Sequence, residues 1–123
     1  MATVFTDVAR ALLVDAIDGT QLSAPTYIGW GTGTTTADDT DTALETPSSE
    51  SRVDGTKSQQ TTNVTGDTYR VVGTITSDSS QTISEAGLFN ASTNGDMYVH
   101  GDFTGIALGD GDSIAFTVEI VVA

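Results

Sequence analysis

His100 is the only histidine in the chain. Any Ser-His-Asp chemistry would therefore pass through it, with Asp102 two residues away on the same face of an extended strand. No Gly-x-Ser-x-Gly elbow presents a nucleophile to it, and His100 reads as an exposed polar position on a half-buried strand. A pair of carboxylates could hydrolyse glycosides, but 17 acidic residues make some pair inevitable, and no pattern marks one as embedded. The chain is expected not to be an enzyme. Asp38-Asp39-Thr40-Asp41 and Gly109-Asp110-Gly111-Asp112 gather oxygens of the kind calcium takes. Neither has the spacing or terminal Glu of an EF-hand, and Asp and Gly serve turns equally well without a metal. The run Gly29-Trp30-Gly31-Thr32-Gly33-Thr34 has the look of a phosphate loop but lacks Gly-Lys-Ser/Thr and a following helix. Its glycines instead let the chain turn sharply and approach another backbone closely, leaving Trp30 to fill a core or an interface. No metal and no cofactor are expected. Asn63-Val64-Thr65 and Asn90-Ala91-Ser92 match the glycosylation acceptor pattern, which arises readily among 33 Ser and Thr residues.

Glu85 is more informative. It stands between Ile83 and Gly87-Leu88-Phe89, where burying a lone carboxylate costs several kcal/mol. It needs a partner, and Arg52 or Arg70 could supply one; the expected pair is Glu85 with Arg52.

The elements that must carry these residues follow from periodicity. Over residues 4–17, Phe5, Val8, Ala9, Leu12, Leu13 and Ala16 fall on one side of a helical wheel, with Thr3 as cap and Asp18-Gly19 as a left-handed exit. Val14, among the polar positions, reads as a subunit contact or an ordinary exposed apolar residue. Thr26 to Gly31 is a short strand, and Thr32 to Ala43 a solvated loop, mobile until something covers it. Ser51 to Asn63 is polar and reads as an edge strand, an arm or a second long loop. Alternation then marks strands over Tyr69 to Thr76, Ile83 to Phe89, Met97 to Phe103 and Ile114 to Val122, with Asn94-Gly95 as a hairpin signal. In the third of these, Met97, Val99 and Phe103 alternate with Tyr98, His100 and Asp102. The last strand is expected to anchor its sheet. The fold class is mainly β: one domain, residues 1–123, an antiparallel β-sandwich of jelly-roll-like form over about 26–122 behind one N-terminal amphipathic helix.

Composition narrows the partners. Four Lys and Arg against 17 acids give a net charge of −13. Four cations cannot displace counterions along duplex nucleic acid or dock on an anionic membrane. Without cysteine there is no thiolate, disulfide or soft zinc site. Asp7, Arg10 and Asp15 interrupt the first 18 residues, so neither a signal-peptide core nor a spanning helix fits them. Self-repulsion at this charge is relieved where the Debye length shrinks to about 3 Å, in molar salt. One Lys, three Arg and Asp preferred over Glu resemble proteins of extremely halophilic archaea and their viruses; the plain alternative is an acidic mesophilic surface.

Three stretches carry a resemblance: Tyr27-Ile28-Gly29-Trp30-Gly31-Thr32-Gly33-Thr34, Asp41-Thr42-Ala43-Leu44, and Ile83-Ser84-Glu85-Ala86-Gly87-Leu88-Phe89. In order and spacing the chain resembles small structural proteins of tailed viruses, departing from them in its acidity and in the polar stretch from Lys57 to Asn63. The resemblance implies no catalytic residues. It implies a virion protein made in the host cytoplasm, in the first reading a capsid decoration (cement) protein on the capsid exterior, bridging major capsid proteins as a homo-oligomer, with a trimer expected. The alternative is a tail-fibre, collar or baseplate component; a carbohydrate-binding module with Trp30 or Tyr27 as stacking platform is a third. Trp30, Gly31, Gly33, Leu44, Arg52, Glu85 and Gly87 are the candidate structural or interface residues, with the Trp30 to Leu44 loop and the Ser51 to Asn63 segment ordering on assembly.

Overall fold

A computed structural model describes residues 1–122. The chain begins as a strand, β1 (Thr3–Phe5), not as a helix. A helical wheel can be drawn through these three residues, but their backbone pairs with a later strand, Thr3 opposite Gly101 and Phe5 opposite Val99, and those ladder bonds decide the conformation. The cap moves accordingly from Thr3 to Thr6, whose extended backbone (φ −74°, ψ 159°) starts α1 (Asp7–Ile17) and whose hydroxyl oxygen accepts the Ala9 N–H. Gly19 supplies the left-handed exit at φ 103°. Val14, 63% exposed, packs on nothing in the core.

Seven more strands follow: β2 (Tyr27–Gly31), β3 (Val53–Asp54), β4 (Thr56–Gln60), β5 (Thr68–Thr76), β6 (Gln81–Phe89), β7 (Met97–Leu108) and β8 (Ser113–Val121). They form two antiparallel sheets, one of five strands in the order β1-β7-β6-β2-β3 and one of three in the order β4-β5-β8. The molecule is a β-sandwich with one short helix. Ile28 and Trp30 of β2, Val71 and Ile75 of β5, Ile83 and Leu88 of β6 and Val99 of β7 form the core between the layers. Trp30 meets Phe116 edge-on, ring centroids 6.3 Å apart at 78°. Lying 2% exposed between the sheets, its indole cannot serve as a sugar-stacking platform.

Of the three readings of the polar segment from Ser51, the edge strand is the one the structure shows, and it is two of them, β3 on the larger sheet and β4 on the smaller, with Gly55 between them. Edge strands are held by backbone bonds on one side and need no apolar alternation. Two other expectations change. β8, expected to anchor its sheet, is itself an edge; the central strand is β5, paired with β8 from Thr68↔Val121 to Thr76↔Ser113. Finally, β7 runs on to Leu108 and contains irregularities that alternation cannot reveal. Between Leu88↔Val99 and Phe89↔Met97 it carries one extra residue, so Tyr98 and Val99 both join the main core while Met97 packs with Leu44 and Phe89 in a second cluster. Between Ile83↔Ile106 and Glu85↔Asp102 the register slips again. Two residues apart on a regular strand share a face; here Ile83 enters the core while Glu85 faces away from it, toward the loop after β2.

Candidate functional site

The outer face of the five-stranded sheet is built from small residues at its centre. Gly29 and Gly31 of β2 pair with Gly87 and Glu85 of β6, so the Glu85 carboxylate rises among glycines. The segment from Thr32 to Ser51 crosses this face as a strap. A Cβ on Gly31 would overlap the Thr46 carbonyl oxygen, and one on Gly33 would overlap Glu85 Oε2. The glycine spacing that resembles a phosphate loop is thus what lets one stretch of backbone lie directly on another.

Glu85 holds the strap down. Its carboxylate accepts four hydrogen bonds: at Oε2 from Gly33 N–H (2.9 Å) and Thr46 N–H (2.8 Å), and at Oε1 from Glu45 N–H (2.9 Å) and His100 Nε2 (2.9 Å). The other ring nitrogen, Nδ1, lies 2.7 Å from Asp41 Oδ2. An imidazole carrying hydrogen on both nitrogens donates to both carboxylates, tying the sheet to Asp41 near the middle of the strap. Around this centre, Ser84 Oγ donates to Gly33 O (2.6 Å). Asp102 Oδ2 accepts the N–H groups of Ala37 (2.7 Å) and Ala2 (3.1 Å); the Ala37 N–H above all holds its carboxyl below the usual aspartate range.

These contacts correct several expectations. His100 is buried, not exposed: its side chain is 4% accessible and that of Glu85 2%. Asp102 does not stand behind the histidine but secures the strap and the amino-terminal strand. The partner of Glu85 is not Arg52. That guanidinium lies 3.5 Å over the Phe89 ring and donates to Ala91 O (2.9 Å) and Asn94 O (2.8 Å), clamping the β6–β7 hairpin, whose Asn94 and Gly95 both take left-handed conformations. Of the candidate residues, Gly31, Gly33, Glu85 and Gly87 meet under or beside the strap. Leu44 packs with Phe89 and Met97 on the same side, Arg52 covers Phe89, and Trp30 alone points into the core. The loop expected to be mobile is fastened along its length. His100 and Asp41 stood out in sequence for other reasons, and what was missed is that they join Glu85; the one available signal was that Glu85 required a partner.

Chemically the arrangement is closed. Both ring nitrogens of His100 are engaged, so no basic nitrogen faces solvent. In the Asp-rich run, Asp38 accepts Thr40 N–H and hydroxyl, Asp39 lies 3.5 Å from Arg10, and Asp41 turns to His100. Among the described residues no group of three His, Asp or Glu side chains is disposed to hold a metal ion. A second anchor stands at the strap's end, where Glu50 accepts Trp30 Nε1–H (2.9 Å), Asp78 N–H (2.9 Å) and Gln81 Nε2–H (2.7 Å). Burial pushes the Glu50 carboxyl up, but the Asp78 and Trp30 donors outweigh it and hold it at about 2, against an ordinary 4.5.

The fold is a two-layer β-sandwich with a strap fastened across one face, and the sequence comparison says to which family it belongs. Residues 4–122 match the family described as podophage GP4 fiber I protein gp80; the match spans nearly the whole chain, which belongs to that family. It is a tailed-virus structural protein with virion proteins as partners. The description fits the tail-fibre alternative better than capsid decoration. No curated protein and no solved structure matches the chain.

Two predictions follow from the strap. Glu85→Ala strands three strap N–H groups and is expected to lower unfolding free energy by about 3–5 kcal/mol, Glu85→Gln by about 1–3, and Asp41→Ala, at the half-exposed end, by about 1 or less; urea titration followed by circular dichroism checks the ranking. For Glu50, the folded-state value lies below the unfolded one, so its contribution is complete above about pH 4.5 and is lost as pH falls toward 2. The urea midpoint of the wild type is expected to drop through that window, and Glu50→Gln to flatten part of the drop.

Proposed function

We propose that the chain is a non-enzymatic building block of the viral tail-fibre apparatus, contacting neighbouring tail proteins or the host surface through the loops held rigid on its outer sheet face. Family membership over residues 4–122 carries the reading. The site supports it, because the charged network under the strap is used up internally and shapes an external surface. Thr34 to Thr36 and Asp38 to Thr40 stand exposed on that strap, while its underside is anchored. A binding surface pre-ordered in this way loses little entropy on contact.

The acidity supports a further part of the proposal, a working environment of concentrated salt. Among the described residues the ion pairs are few: Arg10 with Asp7 and Asp39, Arg70 with Glu119, and the amino terminus with Asp102, beside the contacts of His100 with Asp41 and Glu85. Most of the 17 acids therefore repel one another unless salt screens them.

Immunogold labelling or a density map of the virion is expected to show a handful of copies at the tail; hundreds of copies on the capsid shell would replace this reading with the decoration one. The melting temperature of the purified chain is expected to climb steadily from dilute buffer to molar sodium chloride. A flat profile would remove the salt-adapted part alone.

A further inference from the structure

The sandwich has four sheet edges, and three of them are blunted. β1 is three residues long, β3 two, and β4 is a short polar strand carrying Lys57. Short edges and edge lysines are the usual means of preventing strand addition. β8 has none of these devices. It presents nine residues, Ser113–Val121, paired only with β5, with no proline, no lysine and no register break. Its core-facing residues Ile114, Phe116, Val118 and Ile120 are only partly covered.

Beside that edge the two layers stand apart. Three grooves run along the strand and into one another. The first, about 300 Å³, is bounded by Phe103, Ile106 and Phe116; the second, about 390 Å³, shares Thr3, Val99 and Glu119 with it; the third, about 560 Å³, shares Phe5, Leu13, Ile120 and Val122 with the second. Ile106, Val121 and Val122 are 43%, 40% and 64% exposed there. The edge is also nearly free of charge. In a chain of net charge −13, β8 holds one ionisable residue, Glu119, and Arg70 neutralises it at 2.7 Å.

We propose that the open edge of β8 docks β8 of a second copy of this chain, the two strands running antiparallel about a two-fold axis at Thr117 and joining two three-stranded sheets into one. This goes beyond the fibre reading. Two copies so strongly alike in charge can approach only through an uncharged face, and β8 is that face. The strand is also self-complementary, as a two-fold contact requires. Centred on Thr117, Ile114 of one copy lies opposite Ile120 of the other and Phe116 opposite Val118, while Glu119 meets Ala115 and stays with its own Arg70. Backbone pairing supplies the unmet N–H and C=O groups, and the apolar inner face continues across the junction.

Sedimentation velocity on the purified chain in molar sodium chloride tests this. The wild type is expected at twice the 12.7 kDa chain mass. Thr117→Lys changes an exposed outer-face residue and sets two lysines against each other at the axis; it is expected to keep the wild-type circular dichroism spectrum while weakening association about tenfold or more. Thr117→Val is expected to dimerise as the wild type does, and Thr93→Lys, the same charge change on the exposed β6–β7 hairpin away from the grooves, to leave the dimer intact. A wild type that stays monomeric, a three-fold particle, or equal weakening by Thr117→Lys and Thr93→Lys would each overturn the proposal. Because it is read on the isolated chain, failure here is separate from failure of the tail assignment, which is read on the virion.

Discussion

A carboxylate removed from water must find donors for its lone pairs, and the outer half of this fold is arranged around that requirement. Glu85 cannot be satisfied by its own strand or by the strands beside it; three of its four donors are strap backbone groups, at Gly33, Glu45 and Thr46. The strap can reach them only because Gly31 and Gly33 lack side chains, while Gly87, opposite His100 across the ladder, leaves room for Met97 and Phe89. Replacing the charged centre with apolar residues of similar volume would not obviously weaken the protein, since buried ion pairs contribute little net stability. What the carboxylate supplies is position: it accepts bonds from both ends of the strap and admits one path between them.

Much of the scaffold was legible in the sequence. A β-prone run marked β2, strand patterning marked β5, β6, the first part of β7 and β8, and Asn94-Gly95 marked the hairpin, because each of these depends on residue type, side-chain pattern or a left-handed turn. The sequence also showed that Glu85 needed a partner. It could not show which, because backbone N–H groups leave no trace in residue identity, and the search turned to arginines instead. β1 escaped, and β3 and β4 were one reading of three, for a related reason: they are short or polar, and their ladder bonds alone make them strands. The slips in β7 were invisible in principle, since they alter which face a residue occupies without altering the residue. The burial of His100 is a consequence of the strap above it, and only the folded chain reveals that.

Membership of a phage fibre family places this economy in context. A virion component must keep its shape outside the cell, without chaperones or turnover, and its charged residues are committed to that end. Arg52 closes a hairpin, Asp102 gathers the amino terminus and the strap, and Glu50 ties the core tryptophan to the loop before β6. Most of the acids that remain face outward, where like charge opposes non-specific association.

The passage between the two layers has a mechanical consequence. Only Gly55 separates β3 from β4, its N–H bonded to Thr26 O at 2.7 Å, and a Cβ there would run into Val71 Cγ1. The chain crosses between the layers twice more, from β5 to β6 through residues 77–80 and from β7 to β8 through residues 109–112, and these two crossings are joined to each other where Ser77 N–H donates to Asp112 O at 2.7 Å. A force sliding one layer over the other therefore meets covalent backbone at three crossings, and whatever strain the particle transmits to this subunit is carried by peptide bonds as well as by side-chain packing.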